Sequence, residues 1–449
     1  MTEHDTIAAI ASASGRGGIG IVRVSGSRVA HIAAAMLGQL PEPRRGLLRT
    51  FRNAAGDAID SGLALYFPAP ASFTGEDVLE LQGHGGTVAP DLVLAGVLEL
   101  GARLAQPGEF SQRAFLNGKL DLAQAEAVAD LIDSGSVEAA RAALRSLQGE
   151  FSLQVRTLTE ALIEARMYVE AAIDFPEEEV DFLGDGELRE RIVSLQQCLT
   201  QVIANARQGT LLRDGMTVLI AGRPNAGKSS LLNRLAGRDA AIVTDIPGTT
   251  RDLLHEHIHL DGMPLHLIDT AGLRGNADVI EAEGIRRARV EMQRADRILY
   301  LVDASRRISE ADLQTELQEL PQATQLTVVM NKIDLVAQQP RVEDIEPMRI
   351  HVSIATNAGV DLIKQHLKHC MGFTGSHAGT VSARRRHLDA LHRAADHIRE
   401  AARHLTERRA GELMAEELRL AQQCVAEITG EFTSDDLLGR IFSTFCIGK

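Results

Sequence analysis

Lys228 and Ser229 close the run Gly222-Arg-Pro-Asn-Ala-Gly-Lys-Ser229. Asp269-Thr-Ala-Gly272 and Asn331-Lys-Ile-Asp334 follow in that order. The first run fits G-x-x-x-x-G-K-[ST], whose glycines let backbone N–H groups turn onto phosphate oxygens at a helix N-terminus. There Lys228 meets the β- and γ-phosphates and Ser229 holds Mg²⁺, while Asn225, Ala226, Gly227 and Ser230 complete the cradle. Asp269 ends an apolar run and points a carboxylate at the metal. Thr270 and Ala271 follow it, and Gly272, lacking a side chain, can approach the γ-phosphate. Asn331, Lys332 and Asp334 follow a third apolar run. The Asp334 carboxylate can accept from guanine N1–H and its exocyclic amine, a pair that adenine cannot offer. Ser353, Ile354 and Ala355 read as a further base-contacting loop.

The loop from Thr244 to Asp252, with Asp245, Ile246, Pro247 and Gly248 at its head, supplies a switch. Thr249 and Thr250 are both candidates for the threonine that completes Mg²⁺ coordination when a γ-phosphate is present. Leu273 stands after Asp-Thr-Ala-Gly, where Ras-type proteins carry a water-orienting glutamine. An aliphatic group cannot hydrogen-bond to water, so another positive charge and another water-positioning group are needed. The nearby acids Asp278, Glu281 and Glu283 are candidates, or simply solvated helix surface.

Elements must position these groups. Thr217 to Ala221, Leu265 to Ile268 and Leu326 to Met330 read as buried strands, and Ser230 onward as a helix with an apolar stripe. Residues 1 to about 117 alternate β-like runs (Ile19 to Val24, Gly62 to Phe67, Val78 to Leu81) with turns and one helical stretch near Val88 to Leu100, an α+β module. Leu120 to Thr210 and Ala383 to Leu438 are Ala-, Leu- and Glu-rich with helical spacing. The expected architecture is therefore multidomain. An N-terminal α+β module (1–118) precedes an all-α helical domain in two parts (119–213 and 376–449), and an α/β P-loop GTPase domain of Ras-like type (214–375) is inserted between them.

Composition bounds the rest. The 449 residues are 45% hydrophobic, enough for about three cored domains. The acidic start Met-Thr-Glu-His-Asp and the lack of eighteen uninterrupted apolar residues point to a cytoplasmic protein without a membrane span. Cys198, Cys370, Cys424 and Cys446 are scattered without metal-ligand spacing. Cys446 reads either as a nucleophile towards a uridine or a one-carbon unit, or as a packed small hydrophobe. His255, His257 and His259 share a strand face, where a metal is geometrically conceivable. Arg384 to Arg386 read as phosphate contacts or as a solvated helix start. A net charge of −14 sits badly with unaided grip on nucleic acid, so a partner or a local patch must hold any RNA.

These segments resemble the MnmE (TrmE) family of tRNA-modification GTPases. So do Gly15-Arg-Gly-Gly18, Ser72-Phe-Thr-Gly-Glu-Asp77, Leu81-Gln-Gly-His-Gly-Gly86, Pro107-Gly-Glu-Phe110, Lys119 to Glu126 and Phe445-Cys-Ile-Gly-Lys449, so the likeness runs end to end. It implies a K⁺ ion in place of an arginine finger, held by Asn225, Thr244, Ile246 and Thr249. Mg²⁺ would sit on Ser229 and Thr250, with Glu281 orienting water. Hard oxygen donors of this kind suit an alkali cation that neutralises developing phosphate charge. Pro247 departs from the family pattern by removing an N–H from that loop. The likeness also implies an N-terminal module that dimerises and binds a tetrahydrofolate derivative (5,10-methylene or 5-formyl) through Arg23, Glu80, Lys119 and Lys449. Arg and Lys would pair with its carboxylates, and Glu80 would accept from the pterin. An FAD-containing partner of the MnmG (GidA) type would act with this chain on uridine 34 of tRNA. The rival reading, a potassium-activated GTPase of ribosome assembly, should carry a basic appendage. Residues 381–449 hold 11 Lys and Arg against 11 Asp and Glu, which disfavours it.

Overall fold

A computed structural model describes residues 5–13, 15–174, 186–236, 255–260, 263–269, 295–306, 308–318, 320, 325–370, 380–405, 410–431, 435–445 and 448. They form two compact units. One comprises residues 1–132, 144–202 and 389–449, and the other residues 133–143 and 203–388.

The first unit opens with a six-stranded sheet. Its strands are β1 (Ile7–Ile10), β2 (Ile19–Ser25), β3 (Leu47–Arg52), β4 (Ala58–Phe67), β5 (Val78–His84) and β6 (Arg103–Leu104), in the order β3-β4-β5-β2-β1-β6. Helices α1 (Val29–Leu37) and α2 (Ala89–Glu99) cover one face. Ala8, Val22, Val24, Leu79 and Leu81 alternate onto that face and form its core with Ile32, Met36, Val93 and Val97. Register places Ala9, Arg23 and Glu80 side by side on the opposite face, since Ala9 pairs with Arg23 and Arg23 with Glu80. Helix α3 (Glu109–Leu116) partly covers this second face, setting Phe110 against Ile7, Ala9 and Ala105.

A buried ion cluster anchors α3. Arg113 reaches Asp5 Oδ1 (2.8 Å), Glu76 Oε2 (3.0 Å) and Glu109 Oε1 (3.0 Å), and Arg103 also bridges Asp5 and Glu109. Glu76 in turn accepts from Ser25 Oγ at 2.7 Å, which ties the loop carrying Phe73 to β2. Burial opposes ionisation of Glu109. Hydrogen bonds from Arg103, the Gln106 N–H and Arg113 outweigh it and hold the carboxyl below its ordinary value of 4.5.

The rest of this unit is helical: α4 (Leu122–Ile132), α6 (Glu150–Asp174), α12 (Gly411–Thr429) and α13 (Asp435–Ser443), with most of α7 (Gly186–Asp214) and α11 (Arg385–Arg403). Arg166 of α6 donates to Gln422 Oε1 of α12 at 2.8 Å, and Leu122, Phe442 and Phe445 share one cluster.

The second unit is an α/β domain. Its strands are β7 (Met216–Gly222), β8 (His255–Leu260), β9 (Met263–Asp269), β10 (Arg297–Asp303), β11 (Gln325–Asn331), β12 (Arg341–Glu343) and β13 (Met348–His351), in the order β12-β13-β11-β10-β7-β9-β8. Only the edge strands β12 and β8 run antiparallel to their neighbours. Helices α8 (Lys228–Ala236) and α10 (Val360–Cys370) contribute Leu231, Leu235, Ile363 and Leu367 to one core. Helix α9 (Glu310–Gln318) contributes Leu313 and Leu317 to the other. With both faces covered, β7 and β10 read as unbroken apolar runs rather than alternating ones.

The compact units divide near 202 and 388, within α7 and α11. Helix α5 (Val137–Leu147) explains the short 133–143 segment. Its Ala142 packs with Leu212 and Met216, and the Ala142 carbonyl accepts from Ser382 N at 3.2 Å. Among the described residues no helix is long and apolar enough to cross a membrane.

Glu109 and Asp5 have folded values below their unfolded ones, so their stabilisation is present above the ordinary carboxylate range and is lost as pH falls through the lowered values. Glu109→Ala, which removes one of the three carboxylates around Arg113 and one of the two that Arg103 meets, is expected to cost about 2 kcal/mol in urea unfolding at neutral pH. The difference from the parent should narrow below about pH 4; a pH-independent difference would remove the ion cluster as its source.

Candidate functional site: a phosphate loop and a base loop at the strand ends

The parallel strands deliver Gly222, Asp269, Asp303 and Asn331 to one edge of the second unit, since Leu301 pairs with Gly222, Asp303 with Asn331 and Ile220 with Asp269. Such a crevice at strand C-termini is where open α/β sheets bind ligands.

Sterics impose the two glycines of the phosphate loop. Gly222 has φ 138°, and a Cβ there would lie 2.3 Å from Leu301 O. Gly227 has φ 104°, and a Cβ would lie 2.4 Å from Asn331 Nδ2. Between them Asn225 takes φ 63°, a conformation that Asn tolerates better than most residues, and it is exposed. Ala226 is buried, whereas Ser229 and Ser230 are exposed at the start of α8. Lys228 Nζ donates to Gly222 O (3.0 Å) and Arg223 O (3.1 Å), which holds the ammonium over the loop.

Asn331 braces two loops. Its Nδ2 donates to Ala226 O at 2.8 Å and its Oδ1 accepts from Ile354 N at 3.1 Å, so the buried carboxamide joins the phosphate loop to the 353–355 segment. Asn331 therefore acts through the backbone, and Asp334 is left exposed on the 3₁₀ turn Ile333–Val336 as the carboxylate facing out. Ser353 and Ile354 are buried. Ser353 Oγ accepts from Thr356 N, Ile354 O accepts from Arg234, and only Ala355 of this loop is exposed.

Sequence reasoning missed Asp303. Its Oδ2 lies 2.6 Å from Lys332 Nζ, and its Oδ1 accepts from Ser305 N and Oγ. Burial opposes its ionisation, but the Lys332 and Ser305 hydrogen bonds hold it below its ordinary value. An aspartate ending the apolar run 298–302 carries the same signal as Asp269. Glu316 was missed as well; it joins Arg223 of the phosphate loop to Tyr300 Oη.

Several expected residues lie outside the described ones: Thr244, Asp245, Ile246, Pro247, Gly248, Thr249, Thr250, Thr270, Ala271, Gly272, Leu273, Asp278, Glu281, Glu283, Cys446 and Lys449, together with the side chains of Asp269, His255, His257 and His259.

In the first unit, Arg23 and Glu80 meet each other. Arg23 Nε and Nη2 donate to Glu80 Oε1 at 3.0 and 2.9 Å, and the guanidinium lies 5.6 Å from the Phe73 ring centroid and 5.8 Å from that of Phe110. The two side chains thus form one ion-paired unit on this face of the sheet. Lys119 is exposed beside the Gly75 turn, and Gly448 sits against Ile10 and Ala11 near β2. His84 pairs with Asp60 at 2.7 Å. Arg385 lies 3.7 Å from Asp214, so the 384–386 run is not wholly without an acidic neighbour.

A model of the MnmE helical domain matches residues 122–446, and one described as the GTP-binding protein TrmE N-terminus matches residues 6–119. This chain belongs to the MnmE family of tRNA modification GTPases. It is 58% identical over its whole length, and the whole of the relative, to the tRNA modification GTPase MnmE of Pectobacterium carotovorum subsp. carotovorum. It is 57% identical, with the same full coverage, to that of Erwinia tasmaniensis. A solved structure of Era, in complex with MgGDPNP and nucleotides 1506–1542 of 16S ribosomal RNA, is 27% identical over 34% of this chain and 56% of its own, at a TM-score of 0.27. As a member of that family the chain is a GTP hydrolase.

Gly227→Ala should weaken GTP binding at least about tenfold, because the methyl group would displace the Asn331 carboxamide. Asp334→Asn should weaken guanine but strengthen xanthine nucleotides, whose C2 carbonyl can accept from an amide N–H. Fluorescent-nucleotide titration checks both, and unchanged guanine affinity in Asp334→Asn would remove Asp334 from base recognition.

Proposed function

We propose that this chain couples GTP hydrolysis to formation of an aminomethyl-type group at C5 of wobble uridine 34 in tRNA, acting with an FAD-containing partner of the MnmG (GidA) type. The observation that carries the reading is one chain uniting a braced phosphate loop and base loop with an N-terminal module and helical segments matched to the family over residues 6–119 and 122–446.

Lys228 and Ser229 fit the phosphates and Mg²⁺, the first as an ammonium held over the loop and the second as an exposed hydroxyl at the helix start. Thr250 completes the metal's ligands in this reading. Asn225 presents an exposed amide, an oxygen donor suited to K⁺, and Thr244, Ile246 and Thr249 are proposed as its companions. K⁺ would supply positive charge where Leu273 leaves no water-positioning amide, and Glu281 would orient the water.

The Arg23–Glu80 pair fits one end of a tetrahydrofolate derivative. Glu80 is aligned as an acceptor for pterin N–H groups, while Lys119 and Lys449 are left for the carboxylates. The unit is proposed to work as a homodimer in the cytoplasm, over domains 1–118, 119–213, 214–375 and 376–449, with Cys446 a candidate nucleophile.

GTP turnover should rise at least about tenfold when K⁺ replaces Na⁺ at equal ionic strength. Equal rates in the two salts exclude cation assistance. Nucleoside analysis of tRNA from a deletion strain should show loss of the wobble modification, and an unchanged nucleoside profile excludes the pathway.

A further inference from the structure

We propose that the outer edge of the six-stranded sheet, carried by Arg44, Arg49 and Arg52, is a docking strip for RNA phosphates. The inference rests on tRNA being the substrate, as in the proposed function.

Strand β3 is an end strand of its sheet, so its outer side has no strand partner there. From Pro43 to Gly56 the chain holds four arginines and no Asp or Glu, inside a protein of net charge −14. All four are exposed. Arg44 Nη2 donates to Ala71 O at 2.6 Å, Arg49 Nη1 to Leu48 O at 3.3 Å and Arg52 Nη1 to Gly56 O at 2.8 Å. Among the described residues none of these three has a carboxylate within ion-pair distance. Arg45 does pair with Glu42 at 2.7 Å, but both are largely exposed and the pair contributes little. The nearest carboxylates along the hairpin are engaged elsewhere. Asp57 accepts from Asn53, and Asp60 from His84 and Ser61.

A main-chain carbonyl thus steadies one edge of each guanidinium, and further N–H groups of its fork remain to meet a phosphate. The six residues of β3 span ~20 Å. That length covers several phosphates of a nucleic-acid backbone. In a protein of net charge −14, a strip of this kind also biases which side of the first unit the RNA approaches.

Charged residues on an edge strand also prevent edge-to-edge pairing, and for that role either sign serves. Charge reversal separates the two roles. The test is fluorescence anisotropy of the full-length protein with an unmodified tRNA transcript across a KCl series, comparing the R44E/R49E/R52E triple variant with the matching R44K/R49K/R52K protein. The Glu variant is expected to bind at least about tenfold more weakly, with a log K against log[salt] slope shallower by about two to three. The Lys variant should stay close to the parent, and GTP turnover without RNA should be unchanged in both.

Parent-like affinity and slope in the Glu variant overturn the inference. So does equal loss in the Lys variant, and so does loss of self-association with tRNA affinity intact, which would assign the edge to a second protein. Full wobble modification restored by the Glu variant in a deletion strain sinks the strip alone. A deletion that loses no modification sinks the proposed function itself.

Discussion

The nucleotide site depends on one buried carboxamide. Asn331 sends its N–H to Ala226 O of the 222–229 loop and accepts from Ile354 N of the 353–355 segment, so the two candidate nucleotide-contacting segments share a single brace. Gly227 has to be glycine because this amide occupies the space where a Cβ would stand. Lys332, next in the chain, is held in a left-handed backbone conformation with its ammonium on Asp303, and Asp334 is left as the carboxylate facing solvent. A buried polar group is costly unless its hydrogen bonds are made. Here both ends of the amide are matched, and the loops are held in register as a result.

The first unit uses the same device with charges. Arg113, Glu109, Arg103, Asp5 and Glu76 meet beneath α3 and the loop that bears Phe73, and their mutual attraction offsets a large desolvation cost. One consequence is local. Phe73 and Phe110 are both brought close to the Arg23 guanidinium, which lies 5.6 and 5.8 Å from their ring centroids and donates to Glu80.

Much of this was legible in the residues. The glycine spacing of 222–229 and the order of the three motifs stated the chemistry, and apolar runs at 217–221, 265–268 and 326–330 marked buried strands. The helical segments were equally plain from their spacing. What escaped were partners distant in sequence. Asp5 and Arg113 stand 108 residues apart, and Arg23 and Glu80 stand 57 apart.

By itself, then, the sequence determined the reaction class and several of the strands and helices, since local sterics and periodicity act within a few residues. Tertiary structure decided which polar groups stay free for a ligand. Asn331, Arg23 and Lys332 each found an internal partner, whereas Asp334 and Asn225 remain exposed. The physical reason is that hydrogen-bond satisfaction is settled only when strands and loops far apart in the chain are brought to within about 3 Å.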